Sequence, residues 1–430
     1  MLSRRTLLLL RFVRFVRSGT LRVLGVLRKT PAGMLVASVL VISCIRAFRF
    51  VRYNTRERST DNHHNETLYH LNNGRSPLKT SLVGSDGQCN KNHSRQIHII
   101  VYTELPLNNS QFYLIASETL ACYAQRHGYK LVKIDPNRRE SARFTNSCKQ
   151  KSIFFRKQCA IANYLELTRE RRRPKRAMHD VEHWVLVLDA DTGVLNPDHC
   201  IEEYIDESVH LVMYERFYSF ELACACNYLV RNSEFALSFM RRWAAFDRFV
   251  SGDLDGRFTS WDQGALHLLL IDEVIPREQR LERDRCRRMW SESTSMSEFY
   301  AFVTCCRITI GARRTLPHVK LLRRGQGMAI DKEVIANSWC PRMFMVHDWK
   351  FHEMKRPDFV FSRAPTGVEC VRGSRQPWPM RPGSRVSCLE MRQLLAAQER
   401  KWQRNRQYQK AWQVTYYTQP DVADCWPDCV

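Results

Sequence analysis

The chain has 430 residues, is 44% hydrophobic and carries a formal net charge of +23; that is enough apolar material for one large domain with a full core, or for two smaller ones. Its 16 cysteines include no CxxC pair and no Cys/His cluster at zinc spacing, so disulfides formed in an oxidising compartment explain them better than a zinc site does. The positive charge does not mark a nucleic-acid binder, because about +12 of it lies before residue 59 and no RNA- or DNA-binding motif is present.

The N-terminal stretch 7–29 mixes Leu, Val and Phe with Arg11, Arg14 and Arg17, a basic, membrane-adsorbing composition. The segment PAGMLVASVLVISCI, 31–45, is uncharged. It is shorter than the ~20 residues that usually span a bilayer, but Arg28, Lys29, Arg46 and Arg49 can snorkel at its ends. Basic residues ahead of it outnumber those just after it, which favours a signal anchor with a cytoplasmic N-terminus. A cleaved signal peptide and a mitochondrial presequence are the rival readings. The sequons at Asn65, Asn92 and Asn108 cluster just downstream, and 54–94 is rich in Asn, Ser, His and Gly. Both features suit a solvated stalk in the secretory pathway. The expected organisation is a cytoplasmic tail (1–30), a transmembrane anchor (31–45), a lumenal stem (46–94), a catalytic domain (95–365) and a disulfide-stapled helical extension (366–430). The organisation expected is that of a single-pass type II protein of the Golgi or ER membrane.

From residue 96 a regular alternation begins. QIHIIVY, 96–102, reads as a strand that ends at Thr103. The spacing of Phe112, Ile115, Leu120, Cys122 and Tyr123 predicts a helix over 111–126, with Gly128 placed to stop it. A second strand is expected at 129–134 and a second helix at 151–168, where Phe155, Cys159, Ala162 and Leu165 form a stripe. The run RERRRPKR, 169–176, reads as a charged surface connection. The apolar strand at 184–188 follows. Strand, helix, strand, helix, strand is the pattern of an α/β fold with a mostly parallel sheet covered by helices.

That strand runs straight into acid: WVLVLDADTGVLNP, 184–197. In open α/β sheets ligands bind outside the carboxyl ends of strands, and Asp189 and Asp191 stand at such an end. Spaced i, i+2 in extended chain, they point the same way. Adjacent unpaired carboxylates repel, and a hard divalent cation, Mn²⁺ or Mg²⁺, relieves that repulsion while taking further ligands from phosphate and water. An Asx turn capping the strand is the plainer alternative. A second Asp-x-Asp at Asp253 and Asp255 sits in loop composition with no strand before it and is given no role.

Beyond this pair, 220–230 (FELACACNYLV) reads as a strand. Asn227 is its polar member best placed to see a ligand, and Glu221 is the nearest further carboxylate, either catalytic or salt-bridged. A helix is expected near Ser233, with Phe235, Phe239, Trp243 and Phe246 as a core stripe. Ser260 and Gln263 have capping-box spacing ahead of an apolar helix at 265–271. His347 follows the apolar run FMV and would leave a strand end as a neutral-imidazole metal ligand, or pair with Asp348 on a surface loop. Lys350 offers a point charge for a diphosphate, or is simply solvated. Tyr102 and Thr103, at the first strand's end, are candidate donor contacts. Ser387 and Glu390 form a further capping box, opening a long polar helix that reaches about Trp412. Cys370, Cys388, Cys425 and Cys429 are expected to staple this part, with their pairing open.

These stretches, WVLVLDADTGVLNPDHCIEEYID with FFRKQCAIANYL, NYLVRNSEFALSFMRRWAAF, WDQGALHLLLID, FMVHDWK and the DCWPDC tail, resemble a nematode-expanded family of uncharacterised, membrane-anchored proteins classed as predicted nucleotide-diphospho-sugar transferases. That family is more distantly similar to fungal and plant galactosyl-, mannosyl- and xylosyltransferases. The resemblance covers most of 95–430 and implies a GT-A fold, a Rossmann-like mixed sheet. It further implies a metal-binding aspartate pair at Asp189 and Asp191, completed by His347. Asp262 and Gln263 are expected to face sugar and acceptor. The implied partners are a nucleotide-sugar donor and a glycan or glycoprotein acceptor. Family members usually have Gly where this chain has Asp348, and small residues where it has Cys224 and Cys226. An inactive sugar- or nucleotide-binding lumenal protein on the same fold is the second functional class.

Overall fold

The computed structural model describes Cys89 and residues 95–104, 112–171, 181–217, 221–250, 257–275, 280–335, 337–350, 356–404 and 426–427. The tail, anchor, sequons, Asp253/Asp255 and Cys425/Cys429 of the sequence reading lie outside the described residues, as does most of the RERRRPKR run. Among the described residues no helix is long and apolar enough to cross a membrane.

The chain alternates as its pattern predicts. Strand β1 (Arg95–Tyr102) leads to helix α1 (Leu114–His127), β2 (Lys130–Ile134), α2 (Ile153–Glu170) and β3 (Glu182–Asp189). α1 ends where Gly128 takes the left-handed φ of 66° and its N–H reaches back to the carbonyls of Ala124 and Gln125. α2 starts at Ser152, whose side chain accepts from the Phe154 N–H. β1 pairs in parallel with both β2 and β3. Next come the two-residue strand β4 (Gly193–Val194), β5 (Leu211–Tyr214), β6 (Tyr228–Arg231) and α3 (Glu234–Ala245), the last capped by Ser233. Helices α4 (Trp261–Asp272), α5 (Arg280–Glu292) and α6 (Met296–Ile310) precede β7 (Val319–Leu322), β8 (Ala329–Asp331), β9 (Met345–His347) and α7 (Cys388–Gln403).

The main sheet has the order β2-β1-β3-β6-β5-β7, and a small sheet has the order β4-β9-β8. β6 runs antiparallel to β3 and β5, so the large sheet is mixed. Side chains along β1 and β3 alternate between two cores. Ile97, Ile99, Val101, Trp184, Leu186 and Leu188 enter one; Ile100, Tyr102, Val185 and Val187 enter the other. A central strand buried on both faces must be apolar at every position, hence the unbroken WVLVL. Phe239 and Trp243 are fully buried, and Phe235 and Phe246 pack against the same core as a helical stripe should.

Three expectations need correction. The strand expected at 220–230 is confined to Tyr228–Arg231, and 221–227 is irregular. Ser260 does not cap α4 with its side chain; it adopts a left-handed φ of 54°. Helix α7 ends at Gln403, and residues 405–424 beyond it lie outside the described residues. Ser387 does cap α7, accepting from the Glu390 N–H.

Among the described residues six disulfides are present: Cys89–Cys200, Cys122–Cys370, Cys148–Cys159, Cys224–Cys226, Cys286–Cys305 and Cys340–Cys388. Cys370 and Cys388 thus tie the C-terminal segment to α1 and to the loop before β9. Removing a native disulfide typically costs about 2–5 kcal/mol. Cys388→Ser should therefore expose α7 to limited proteolysis under non-reducing conditions and lower the thermal midpoint; an unchanged digestion pattern would show that packing alone holds the segment.

Candidate active site

The site forms where the two sheets meet. β3 delivers Asp189 at its last residue, in register with Tyr102 at the end of β1. The chain then turns, the Thr192 N–H bonding the Asp189 carbonyl at 3.0 Å. It enters β4, where Gly193 lies opposite Val346 of β9. His347 is the next residue. The Trp349 N–H closes the junction on the Asp191 carbonyl at 2.8 Å. Gly193 explains the glycine of DADTG: a Cβ there would lie 2.4 Å from the Trp349 ring and 2.9 Å from Thr119 Oγ1.

One ligand atom each from Asp189, Asp191 and His347 lies within 4.8 Å of the others. His347 Nε2 stands 3.6 Å from Asp189 Oδ2 and 3.4 Å from Asp191 Oδ1. Its Nδ1 lies 2.9 Å from Asp331 Oδ1, the β8 residue in register with it. Donation from Nδ1 to Asp331 directs Nε2 at the aspartate pair, the arrangement in which a carboxylate orients a ligating imidazole. Asp331 is itself held by Arg216 at 3.1 Å.

The electrostatics follow from crowding acids at a buried rim. Burial resists ionisation of Asp189, but Lys157 and His347 outweigh it and hold the carboxyl down at about 2. Asp191 goes the other way, raised by burial and by the neighbouring Asp189 and Asp348. Burial alone would depress His347, yet bonds to Asp189 and Asp331 and the charge of Asp191 push it up to about 10. Tyr113, at the start of α1, is pushed up to about 12 by burial and then by Asp191, Asp189 and Asp348. Asp191 Oδ1 is buried with no hydrogen-bond partner, His347 Nε2 lying at ion-pair distance without the alignment of a bond. Two carboxylates and an imidazole around such an orphaned oxygen are a donor set that fits a Mn²⁺- or Mg²⁺-sized cation.

The other expected site residues fall around this centre in different roles. Lys350 Nζ lies 3.7 Å from Asp191 Oδ2 and bonds Asp348. Asp348 also meets Lys332 at 3.0 Å and has φ of 74°, a left-handed conformation that glycine adopts freely and aspartate tolerates. Asn227 is fully buried and serves the turn rather than a ligand. Its Oδ1 accepts from the Asp189 N–H at 3.1 Å and the Thr192 hydroxyl at 2.9 Å, and its Nδ2 donates to Tyr214 at 3.0 Å. Glu221 is buried and paired with Arg216 at 3.4 Å, so it braces the guanidinium that holds Asp331. The Tyr102 hydroxyl donates to Glu104, which Arg156 holds at 2.6 Å. Thr103 is half-buried, its N–H on the Ile134 carbonyl at 3.0 Å.

Asp262 and Gln263 open α4 and both point inward. Asp262 accepts from Gln158 Nε2 at 3.1 Å, and Gln158 accepts from the Tyr228 hydroxyl at 2.5 Å. Gln263 accepts from the Ala225 N–H at 2.8 Å and donates to the Ala223 carbonyl. His267 accepts from the Leu222 N–H at 3.1 Å. α4 therefore satisfies the Leu222 and Ala225 N–H groups and the Ala223 carbonyl, while the Cys224 N–H bonds the Tyr214 carbonyl at 2.9 Å, so the irregular stretch keeps its backbone paired. Nothing in the sequence pattern marks Lys157, which looks like an ordinary exposed lysine of an amphipathic helix. Its Nζ bonds Asp189 and, at 3.1 Å each, the carbonyls of Ala225 and Cys226. Asp331 did carry a signal, an acid ending the short apolar run MAI, the same feature that marks Asp189.

A family profile described as "Protein of unknown function, DUF273" matches residues 120–360, more than half of the chain, from α1 past His347 and Lys350. The chain belongs to this family. The DUF273 match thus encloses the aspartate pair, its histidine, Lys157 and Asp262. No curated protein matches. Among solved structures, the crystal structure of a glycosyltransferase involved in the glycosylation of the major capsid of PBCV-1 aligns with a TM-score of 0.34 and 12% identity, covering 59% of this chain and 92% of that one. A likeness that loose assigns neither fold family nor activity to the DUF273 chain.

Burial raises the Asp262 carboxyl from its ordinary 3.8 to about 7, the repulsion of Asp189 adding to it and Lys157 opposing it. The protonated form is the one the fold favours. Its contribution is complete below about pH 4 and is lost as pH rises through about 7, at roughly 1.4 kcal/mol per pH unit. Denaturant unfolding across that window should show the wild type losing a few kcal/mol relative to Asp262→Asn; parallel profiles for the two proteins would refute the assignment.

Proposed function

We propose that the protein is a metal-dependent glycosyltransferase of the GT-A type. In this reading it transfers a hexosyl or pentosyl group from a nucleotide-diphosphate donor to a glycan or glycoprotein acceptor. The carrying observation is the convergence of Asp189, Asp191 and His347 within 4.8 Å at the carboxyl ends of strands from two sheets. A pair of hydrolytic carboxylates would not need the imidazole turned onto them by Asp331, whereas a cation site does.

Asp189, Asp191 and His347 would hold Mn²⁺ or Mg²⁺, and the ion would supply Lewis-acid neutralisation of the leaving diphosphate. The chain's own residues do the rest. Asn227 and Thr192 fix the turn that presents the two carboxylates. Lys157 holds Asp189 ionised in a buried setting. Lys350, already beside Asp191, adds positive charge where a diphosphate would develop its own negative charge. Asp262, held near neutral pKa by burial, is a carboxylate suited to accept a proton from an acceptor hydroxyl. The basic, apolar N-terminus, the sequons and the disulfides support a type II lumenal setting in the Golgi or ER.

The full-length protein should release nucleotide from at least one nucleotide-diphosphate sugar in the presence of Mn²⁺. Asp191→Ala should reduce that rate by about 100-fold or more. Asp331→Asn, which leaves the ligands in place, should raise the Mn²⁺ concentration needed by about 10–100-fold. Binding of nucleotide sugar with no turnover under any metal would favour a lumenal binding protein.

A further inference from the structure

The head of α4 is built in a way that the site described above does not require. Ser260 and Trp261 are consecutive non-glycine residues with φ of 54° and 48°. Such conformations are costly and persist where the surroundings impose them, often at functional positions. Here the preceding segment is clamped from behind. The Phe258 N–H bonds the Ser293 carbonyl at 2.6 Å, and the Thr259 carbonyl accepts from the Trp290 indole at 2.9 Å. Gly264 allows the clamp to close, since a Cβ there would lie 2.1 Å from the Thr259 carbonyl oxygen and 2.4 Å from Trp290 Nε1.

The outcome is a split at the helix start. Asp262 and Gln263 turn inward and are buried, while the Trp261 indole is turned out and is 42% exposed. It lies beside Phe154 of α2, itself 44% exposed, with ring centroids 6.1 Å apart and an interplanar angle of 39°. Phe154 shares a helix face with Lys157 and Gln158, at i+3 and i+4. Those two residues hold Asp189 and Asp262. The open rings therefore form a shelf at the head of α4, one turn along α2 from the lysine that bonds Asp189 and one residue before the buried Asp262.

We propose that Phe154 and Trp261 form an acceptor subsite on which a neutral pyranose ring stacks. This deepens the transferase reading and rests on it for the word acceptor. A pyranose presents one face of C–H groups, which suits the negative face of an aromatic ring, and a rim of hydroxyls, which stay solvated at so open a surface. A two-ring shelf flanked by buried polar groups matches one sugar ring better than it matches a protein surface, which would need a far larger apolar area.

The test uses the full-length protein in EDTA without nucleotide sugar, so that donor chemistry is silent and its failure is scored separately. Saturation-transfer NMR and tryptophan fluorescence are recorded against a panel of neutral disaccharides: lactose, cellobiose, maltose and mannobiose. At least one should bind, with affinity falling ten-fold or more in Trp261→Ala and Phe154→Ala and largely recovered in Trp261→Phe. Absence of binding by the wild type, or equal binding by a Trp261→Ala protein of native thermal midpoint, would overturn the subsite. Saccharide binding that requires these rings would sustain it even if no donor were turned over.

Discussion

Mutual repulsion among carboxylates at a buried rim is the constraint that organises this molecule. Two unit charges 4.8 Å apart repel by about 3.5 kcal/mol at an effective dielectric near 20, and Asp189 and Asp191 approach at least that closely. Asp331 and Asp348 crowd the same centre. Without compensation the fold would lose stability comparable to a sizeable part of its whole margin. Compensation comes from every side: Lys157 from α2, Arg216 beyond β5, Lys332 after β8, Lys350 after β9, and His347 in the middle.

The architecture around the cluster can be read as support for that arrangement. β3 is driven through the centre of the sheet because its five apolar residues find cores on both faces, and this fixes where Asp189 emerges. β4 and β9 pair so that Gly193 passes against Trp349, which brings His347 onto the aspartates. α4 plays a double part. It bonds the Leu222 and Ala225 N–H groups and the Ala223 carbonyl through His267 and Gln263, and so steadies the carbonyls of Ala225 and Cys226 that share Lys157 with Asp189. The positioning of the pair thus depends on a helix distant in sequence.

Much of this was legible beforehand, and the reasons are local. Alternating apolar runs, Gly128 as a helix stop and Ser233 as a cap depend on nearest neighbours, so β1 to β3 and α3 read correctly. An acid ending an apolar run marked Asp189, and the same signal was available for Asp331. What could not be read depends on non-local contacts. Lys157 is indistinguishable from a solvated lysine until α2 is laid against the end of β3. The 220–230 stretch has strand composition, but Gln263 and His267 of α4 take up the Leu222 and Ala225 N–H groups and the Ala223 carbonyl instead of a ladder. Ser260 has the spacing of a cap, but the Trp290 clamp forces it left-handed. Asn227 has the composition of a ligand contact but holds the turn at Asp189, and of the two readings of Glu221, catalytic or salt-bridged, the structure shows the ion pair with Arg216.

The account rests on a cation seated between Asp189, Asp191 and His347. Anomalous diffraction at the manganese edge, from crystals of the protein grown with Mn²⁺, addresses this directly. The account predicts one strong peak among these three side chains, with carboxylate oxygens at about 2.0–2.2 Å. A map with no peak there, and with His347 still paired directly to the two aspartates at saturating Mn²⁺, would contradict it.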